Sequence, residues 1–444
     1  MREERHYQGN PQKNSPALGA TLAFLGINGL LALLHGSQGC STFIRLQLSR
    51  HYKEPIPLNS TALQEDSAIF GGWDQLKKGI GKVMDKYQPQ IVGVMSSGLT
   101  ETFGDDMTSA LASLHEERPE LRPHPVVLVS APDYIGSMQE GYQRTVLALL
   151  STLLPAPTSD LNSTFAHDKS AVTGMKDAAD PATPIIALFP GCHLSPSDID
   201  ELKDIMTLFG LHPVVLPDLS TSLDGHLELE PAPVVQGGTT LEEISLLPQA
   251  VAAFSFGLSM HKAGQYLEEN YHVPHYNFPS LTGLSATDAL IMTLAGLTKQ
   301  PVPAKLSHQR SQLLDTLADY HDQLGGKQIA LALETDLLYS LATALIEVGA
   351  EVPVALAASP NEIKNFPTGI PVQVGDLEEL EELAGATQLI IANSNGRQAA
   401  AALNRPHLRA GLPVFDRAGY PQKIWIGYRG TQNFIFDVLN TLAV

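Results

Sequence analysis

The feature that most constrains the fold of this chain is a repeated alternation of short apolar runs with helical segments. Two such runs are QIVGVM at 90–95 and PVVLV at 125–129, and the residue pattern predicts helices at 73–87, 106–117 and 136–154. A short, nearly continuous apolar run is typical of a strand buried on both faces. Strands of this kind, separated by helices, predict a parallel sheet covered by helices on both sides.

The same pattern starts again twice, at 185–189 and at 329–333. A helix start is clear in the second unit, where Ser195 precedes Pro196 and an acid, Asp198, follows three residues after the serine. The sequence therefore predicts an α/β protein of three Rossmann-like domains with parallel sheets flanked by helices. The predicted divisions are a flexible N-terminal arm at 1–16, domains at 17–155, 185–304 and 305–444, and a linker rich in Pro, Ser and Thr at 156–184.

Composition excludes several classes of protein. Hydrophobic residues make up 43% of the chain and charged residues 17%, which is a globular rather than a disordered composition. The net charge of −19, without a cluster of Lys and Arg among aromatic residues, argues against a nucleic-acid partner. Two cysteines cannot form a disulfide framework.

An uncharged stretch at 17–34 has the length of a signal peptide or a short membrane span. Its glycines weaken a lipid-buried helix, and no A-x-A cleavage site follows it. A lipoprotein signal ending at Cys40 fits poorly, because Ser37 and Gln38 stand where an apolar and a small residue are expected. We expect instead a buried amphipathic helix that enters a glycine-rich turn, in a cytoplasmic protein with reduced thiols.

The sequence does not contain the pattern of a complete active site. The chain has neither a P-loop nor a G-x-G-x-x-G motif, and its histidines have no ligand spacing with an acid or a cysteine. We therefore predict no catalytic residue. Cys40 is instead a candidate metal ligand. It follows the segment Gly36-Ser37-Gln38-Gly39, and glycines let a bulky inorganic group approach the backbone.

A thiolate at Cys40 could bind a soft metal or an iron–sulfur cluster, whereas most lone cysteines are small buried hydrophobes. One thiolate cannot hold a four-iron cluster, so the remaining ligands would come from another chain. Cys192 lies at a strand end and is interpreted as structural.

Several long segments resemble the nitrogenase component 1 superfamily, and within it the β-like subunits of the scaffold for iron–molybdenum cofactor assembly. The segments are LLHGSQGC at 33–40, HYKEPIPLNSTALQED at 51–66, SSGLTETFGDDM at 96–107, PDLSTSLDGHL at 217–227, RAGLPVFD at 409–416 and GYRGTQNFIFDVLN at 427–440. Ordered matches over most of the chain are far more specific than one glycine motif.

The resemblance implies that Cys40 is a cluster ligand and that a second cluster cysteine is absent at position 98. Cys40 matches the cysteine of the family's GC motif, whereas Gly98 stands where catalytic β-subunits have a second P-cluster cysteine. An eight-iron P-cluster is therefore not expected. The scaffold branch instead shares a 4Fe-4S cluster between subunits, with Cys40 as this chain's metal ligand.

The resemblance also implies the partners. They are a NifE-like α subunit in an α2β2 heterotetramer, which holds most of the iron–molybdenum cofactor precursor, and, transiently, the nitrogenase iron protein and a NifB-like precursor donor. On this scaffold the precursor is completed with molybdenum and homocitrate, so the chain is expected to be an assembly subunit rather than an enzyme.

Three alternatives remain open on the sequence. They are a vanadium-system homologue of the scaffold, a subunit of an enzyme like dark-operative protochlorophyllide reductase, and a lipid-anchored metal receptor with a related fold.

Overall fold

Three parallel sheets organise the part of the chain that the structure, a computed structural model, describes: residues 12–63, 72–156, 183–224, 232–361, 363–366 and 369–443. The strand orders are β2-β1-β3-β4, β6-β5-β7-β8 and β11-β10-β9-β12-β13, and every pairing is parallel. The α/β class and the flanked parallel sheets predicted from the sequence are thus confirmed.

The elements lie in chain order. The strands are β1 Leu30–His35, β2 Leu58–Ser60, β3 Ile91–Ser96, β4 Val126–Val129, β5 Ile185–Phe189, β6 His212–Val215, β7 Ala252–Phe256, β8 His275–Phe278, β9 Gln328–Leu333, β10 Glu351–Ala357, β11 Val372–Val374, β12 Leu389–Ala392 and β13 His407–Arg409. The helices are α1 Pro16–Leu25, α2 Gln38–Tyr52, α3 Trp73–Tyr87, α4 Gly98–Phe103, α5 Met107–Glu117, α6 Met138–Leu153, α7 Pro196–Leu208, α8 Leu241–Leu246, α9 His261–Tyr271, α10 Leu284–Thr298, α11 Ala304–Leu324, α12 Thr335–Glu347, α13 Leu377–Leu383, α14 Arg397–Ala402 and α15 Gly427–Leu442.

The strand order of the first sheet fixes where a ligand crevice can form. From β1 the chain goes to one side, to β2, and then crosses back to β3 on the other side. Ligands of open parallel sheets bind at the carboxyl ends of the strands, where the order reverses. In this sheet that position lies between the ends of β1 and β3, both of which are buried at every residue.

The stretch at 17–34 differs from the expectation of one amphipathic helix. It forms nearly all of α1 and most of β1, with a turn between them in which Gly29 has a φ of 70°. All ten residues of α1 are buried, so the helix has no polar face and no helical period to read. None of the helices that the structure describes is long and apolar enough to cross a membrane.

The two segments expected to be loose are only partly described. Within the predicted arm, Gln12 and Asn14 are buried, and their side-chain amides donate to the backbone oxygens of Leu356 (2.7 Å) and Leu412 (2.8 Å). Gln12 and Asn14 are therefore held against the third sheet unit rather than loose. The predicted linker at 156–184 lies almost entirely outside the described residues.

Candidate functional site

Cys40 lies at the carboxyl edge of the first sheet, next to the crevice between β1 and β3. It is the third residue of α2, and its side chain is exposed. The glycine-rich segment before it is shorter than the sequence suggested, because the helix already starts at Gln38. The thiol is therefore presented from the first turn of a helix, where backbone N–H groups face the same side.

The loop that carries Cys40 is fastened at Gly36. The Gly36 N–H donates to Thr61 Oγ1 (3.1 Å), and the Gly36 carbonyl accepts from Ser60 Oγ (3.0 Å). A Cβ atom at Gly36 would lie 2.8 Å from Ser97 Oγ, so glycine is required here by the close approach of the β3 loop. The position of Cys40 is thus set by rigid neighbours rather than by a flexible loop.

A buried histidine and an aspartate lie beneath this loop. His35 Nε2 is 3.3 Å from Asp105 Oδ2, and His35 Nδ1 is 3.1 Å from Thr61 Oγ1. Asp105 also accepts the Gly72 N–H at 2.9 Å. Burial lowers the pKa of His35, and the charge of Asp105 opposes that shift. These contacts tie the end of β1 to the segments before α3 and after α4.

One side-chain contact reaches the sulfur directly. Ser37 Oγ lies 3.4 Å from Cys40 Sγ, with the hydroxyl as donor. The hydroxyls of Ser41 and Thr42 on the same helix instead donate to the carbonyl of Gln38.

Gly98 lies across the crevice, as the first residue of α4 after β3. A Cβ atom there would meet its nearest neighbours, Asp133 N and Tyr134 Cδ1, at 3.6 and 3.8 Å. These are ordinary van der Waals distances, so the backbone does not require a glycine at this position. A cysteine side chain would therefore fit at position 98 without a change in the backbone.

The edge around Cys40 exposes an unusual amount of apolar surface. The segments that follow β1, β3 and β4 contribute six of the fourteen exposed large hydrophobic residues of the described chain. We call these six the apolar rim: Phe43, Leu46, Leu99, Phe103, Tyr134 and Ile135. Phe43 is 68% exposed and Tyr134 62%. Apolar surface concentrated in this way marks a site of protein–protein contact.

The donors at this edge fit an iron–sulfur cluster only as part of a shared site. An exposed thiol with a hydroxyl donor and helical N–H groups suits a soft, anionic cluster. Among the described residues, no group of three or more His, Cys, Asp or Glu side chains could hold a metal ion. Cys40 would therefore be the ligand from this chain, and the remaining ligands would belong to another subunit.

Cys192 lies away from this edge, in the interior between the sheets. It is 7% exposed, and burial raises the pKa of its thiol well above the ordinary value, with the charges of Glu334 and Asp336 adding to the shift. Burial also lowers the pKa of its neighbour His193 to about 4. A buried thiol that stays protonated is a poor metal ligand.

The family follows from a match that spans almost the whole chain. The model of the nitrogenase component 1 type oxidoreductase family matches residues 15–443. The chain belongs to this family. A solved structure described as nitrogenase Cp1 at pH 6.5 superimposes with a TM-score of 0.87 at 27% identity, covering 100% of this chain and 95% of that chain.

Three curated relatives of the chain share one name. Proteins named nitrogenase iron-molybdenum cofactor biosynthesis protein NifN are 41% identical in Rippkaea orientalis, 37% in Bradyrhizobium diazoefficiens and 32% in Klebsiella pneumoniae. The matches cover 98%, 97% and 98% of this chain and 93%, 88% and 90% of those proteins. The superfamily resemblance predicted from the sequence segments is therefore confirmed.

Cys40 and Gly98 stay predictions from the sequence, and the residues that position them were not predicted. Ser37 carried a signal, because it immediately precedes the helix that contains Cys40. His35 and Asp105 are 70 residues apart and meet only because β1 and β3 are neighbours in the sheet. Sequence spacing alone does not show that proximity.

Proposed function

We propose that this chain is the β-like subunit of a scaffold complex on which the nitrogenase iron–molybdenum cofactor is assembled. The observation that carries the proposal is the shared name of relatives that are 32–41% identical over nearly the full chain. The same name favours the molybdenum system over a vanadium homologue, and an assembly protein over a protochlorophyllide reductase subunit. The chain would then contribute to assembly without a catalytic residue of its own.

In this proposal Cys40 supplies the chain's ligand to a 4Fe-4S cluster shared with a NifE-like α subunit. The exposed thiol, its rigid loop and the surrounding apolar rim support that placement. The bound cluster would supply one-electron transfer. The chain's own residues would hold one iron through Cys40 and exclude water from the boundary through the rim.

The α subunit would hold most of the cofactor precursor, and two of each subunit would form an α2β2 heterotetramer. The iron protein of nitrogenase and a NifB-like precursor donor would bind transiently, bringing the molybdenum and homocitrate chemistry and the precursor.

The ligand assignment is tested by replacing the two cysteines separately in the co-expressed heteromer. Cys40→Ala removes one of the four protein–cluster bonds, so the bridging cluster should be lost or its EPR signal changed, while the precursor signal survives. Cys192→Ala is the matched control, because its sulfur is buried, and it should retain both signals and the iron content. A wild-type bridging-cluster spectrum in Cys40→Ala would show that the ligand lies elsewhere.

The partner surface is tested at the apolar rim. Phe103 is 50% exposed on α4, and Phe103→Asp would place a charge in the contact. If Phe103 is an aromatic hot spot of the interface, its loss costs about 2 kcal/mol or more, so we expect affinity for the α subunit to fall by at least about tenfold. Leu383→Asp, at an exposed leucine on α13, is the control and should bind normally in a pull-down titration. Equal binding by both variants would refute the rim as the interface.

A further inference from the structure

Ser37 occupies a helix-capping position without capping the helix. It is the residue before α2 and has extended backbone angles, φ −74° and ψ 158°, as an N-cap residue should. Its side chain nevertheless makes no capping hydrogen bond. In three other helices of this chain the N-cap serine accepts the N–H of the residue three positions later; these serines are Ser15, Ser97 and Ser195.

The hydroxyl of Ser37 is directed to sulfur instead. The residue whose N–H it would normally accept is Cys40, and Ser37 Oγ lies 3.4 Å from the Sγ of that same residue. An N-cap hydrogen bond from serine contributes about 1 kcal/mol to helix stability. Helix α2 lacks that contribution, because the Ser37 hydroxyl contacts the Cys40 thiol instead.

No other hydrogen bond to this sulfur is found among the described residues. The nearby hydroxyls of Ser41 and Thr42 donate to the backbone at 2.9 Å each. The contact from Ser37 is therefore a side-chain route by which this chain can adjust the electronic properties of the Cys40 sulfur.

We propose that Ser37 is a positioning residue that tunes the shared iron–sulfur cluster through its hydrogen bond to Cys40 Sγ. The inference rests on the proposed role of Cys40 as a cluster ligand. A hydrogen bond to a ligand sulfur draws electron density from it and stabilises the reduced, more negative cluster. The Ser37 hydroxyl therefore holds the midpoint potential at a more positive value than the same cluster would have without it.

The test is a redox titration, followed by EPR, of the bridging cluster in the purified heteromer. Ser37→Ala and Ser37→Gly both remove the hydroxyl, and glycine is tolerated at an N-cap position nearly as well as serine. Both variants should retain the wild-type iron content and shift the midpoint potential to more negative values. Ser37→Thr keeps the hydroxyl and should restore the wild-type potential.

Ser41→Ala is the matched control, because Ser41 is one residue beyond Cys40 and its hydroxyl bonds to backbone. It should leave the potential unchanged. An unchanged potential in Ser37→Ala and Ser37→Gly would overturn the inference, as would loss of iron from both, since that would assign Ser37 a purely structural role.

Cys40→Ala in the same series separates the two proposals. If it retains the wild-type bridging spectrum, the ligand assignment itself fails. If it loses that spectrum while the Ser37 variants titrate like the wild type, only the tuning role fails.

Discussion

Two glycines at the edge of the first sheet differ in what they tolerate. A Cβ atom at Gly98 would make ordinary contacts, so Gly98→Cys should fold with a stability change within about 0.5 kcal/mol. It should not create a P-cluster, because one added thiol does not complete an eight-iron ligand set. Iron quantitation and EPR of the heteromer should therefore match the wild type. Additional iron bound in proportion to the variant would contradict this expectation.

Gly36→Ala provides the contrast at the residue scale. Its Cβ would lie 2.8 Å from Ser97 Oγ and 3.0 Å from Ser97 Cβ, so one of the two loops must move. Because Gly36 also fixes the loop that carries Cys40, we expect lower iron content in the purified heteromer and a loss of about 1–3 kcal/mol in unfolding free energy. Iron content and denaturation midpoint equal to those of Gly98→Cys would show that the loop is less constrained than its contacts indicate.

At the scale of elements, α1 and α6 pack through glycines. A Cβ at Gly19 would lie 1.8 Å from the backbone oxygen of Met138, and one at Gly141 would lie 1.9 Å from that of Pro16. Backbone cannot give way as a flexible side chain can, so the two helices would have to separate. We expect Gly19→Ala and Gly141→Ala each to destabilise the protein by about 3 kcal/mol or more, measured by denaturant unfolding.

The control for this helix pair is Gly296, which lies inside α10 with nothing within 4 Å of its Cβ position. Gly296→Ala should stabilise by about 0.5–1 kcal/mol, because alanine is the better helix former. A similar loss of stability in all three variants would point to a general intolerance of alanine rather than to the close contact of α1 with α6.

The elements that could be predicted from the sequence are those with a clear period or a clear boundary. The predicted helix at 73–87 and the strand at 185–189 have the observed bounds, and the helix start at Ser195 is confirmed by its reciprocal hydrogen bonds with Asp198. The prediction of an amphipathic helix at 17–34 was wrong, because an entirely buried helix has no amphipathic period. The helices α2 and α11 were missed, and α2 is the one that presents Cys40.

At the scale of the whole molecule, a carboxylate network joins the first and third sheet units. Ser137 Oγ lies 2.7 Å from Glu140 Oε2 and 2.6 Å from Glu334 Oε2. One hydroxyl proton cannot serve both carboxylates. Burial acts to raise the pKa of Glu140, but its hydrogen bonds, including those from Ser359 and Asn361, outweigh burial and lower it.

Glu334 has fewer such hydrogen bonds, from Ser137 and the Asn14 backbone, and they do not outweigh burial, so Glu334 carries the proton. One of its carboxyl oxygens is buried without a hydrogen-bond partner, and burial raises its pKa to about 8, with the nearby charges of Glu140 and Asp336 adding to the shift. Glu334 is therefore a neutral acid at pH 7 and can donate to Ser137. The junction is held by a chain of two hydrogen bonds, from Glu334 to Ser137 and from Ser137 to Glu140, rather than by an ion pair.

This network makes stability depend on pH in a direction that can be measured. The pKa of Glu334 is about 8 in the folded chain against an ordinary value of 4.5, so the folded state keeps a proton that the unfolded state releases. Its contribution to unfolding free energy is complete below pH 4.5 and is lost as the pH rises towards 8. Burial lowers the pKa of His51 to about 3 and of His193 to about 4, so both give the opposite slope, but only below about pH 6.5.

Thermal unfolding between pH 6.5 and 8.5 therefore isolates Glu334. Glu334→Gln cannot titrate and keeps a neutral side chain, so its stability should fall less steeply across this window than that of the wild type. Since one pKa unit corresponds to about 1.4 kcal/mol, the two slopes should differ by at least about 1 kcal/mol over the window. Glu381→Gln, at an exposed position on α13, is the control and should follow the wild-type curve. Parallel curves for Glu334→Gln and the wild type would mean that Glu334 is already ionised in the folded protein and that the junction is held in another way.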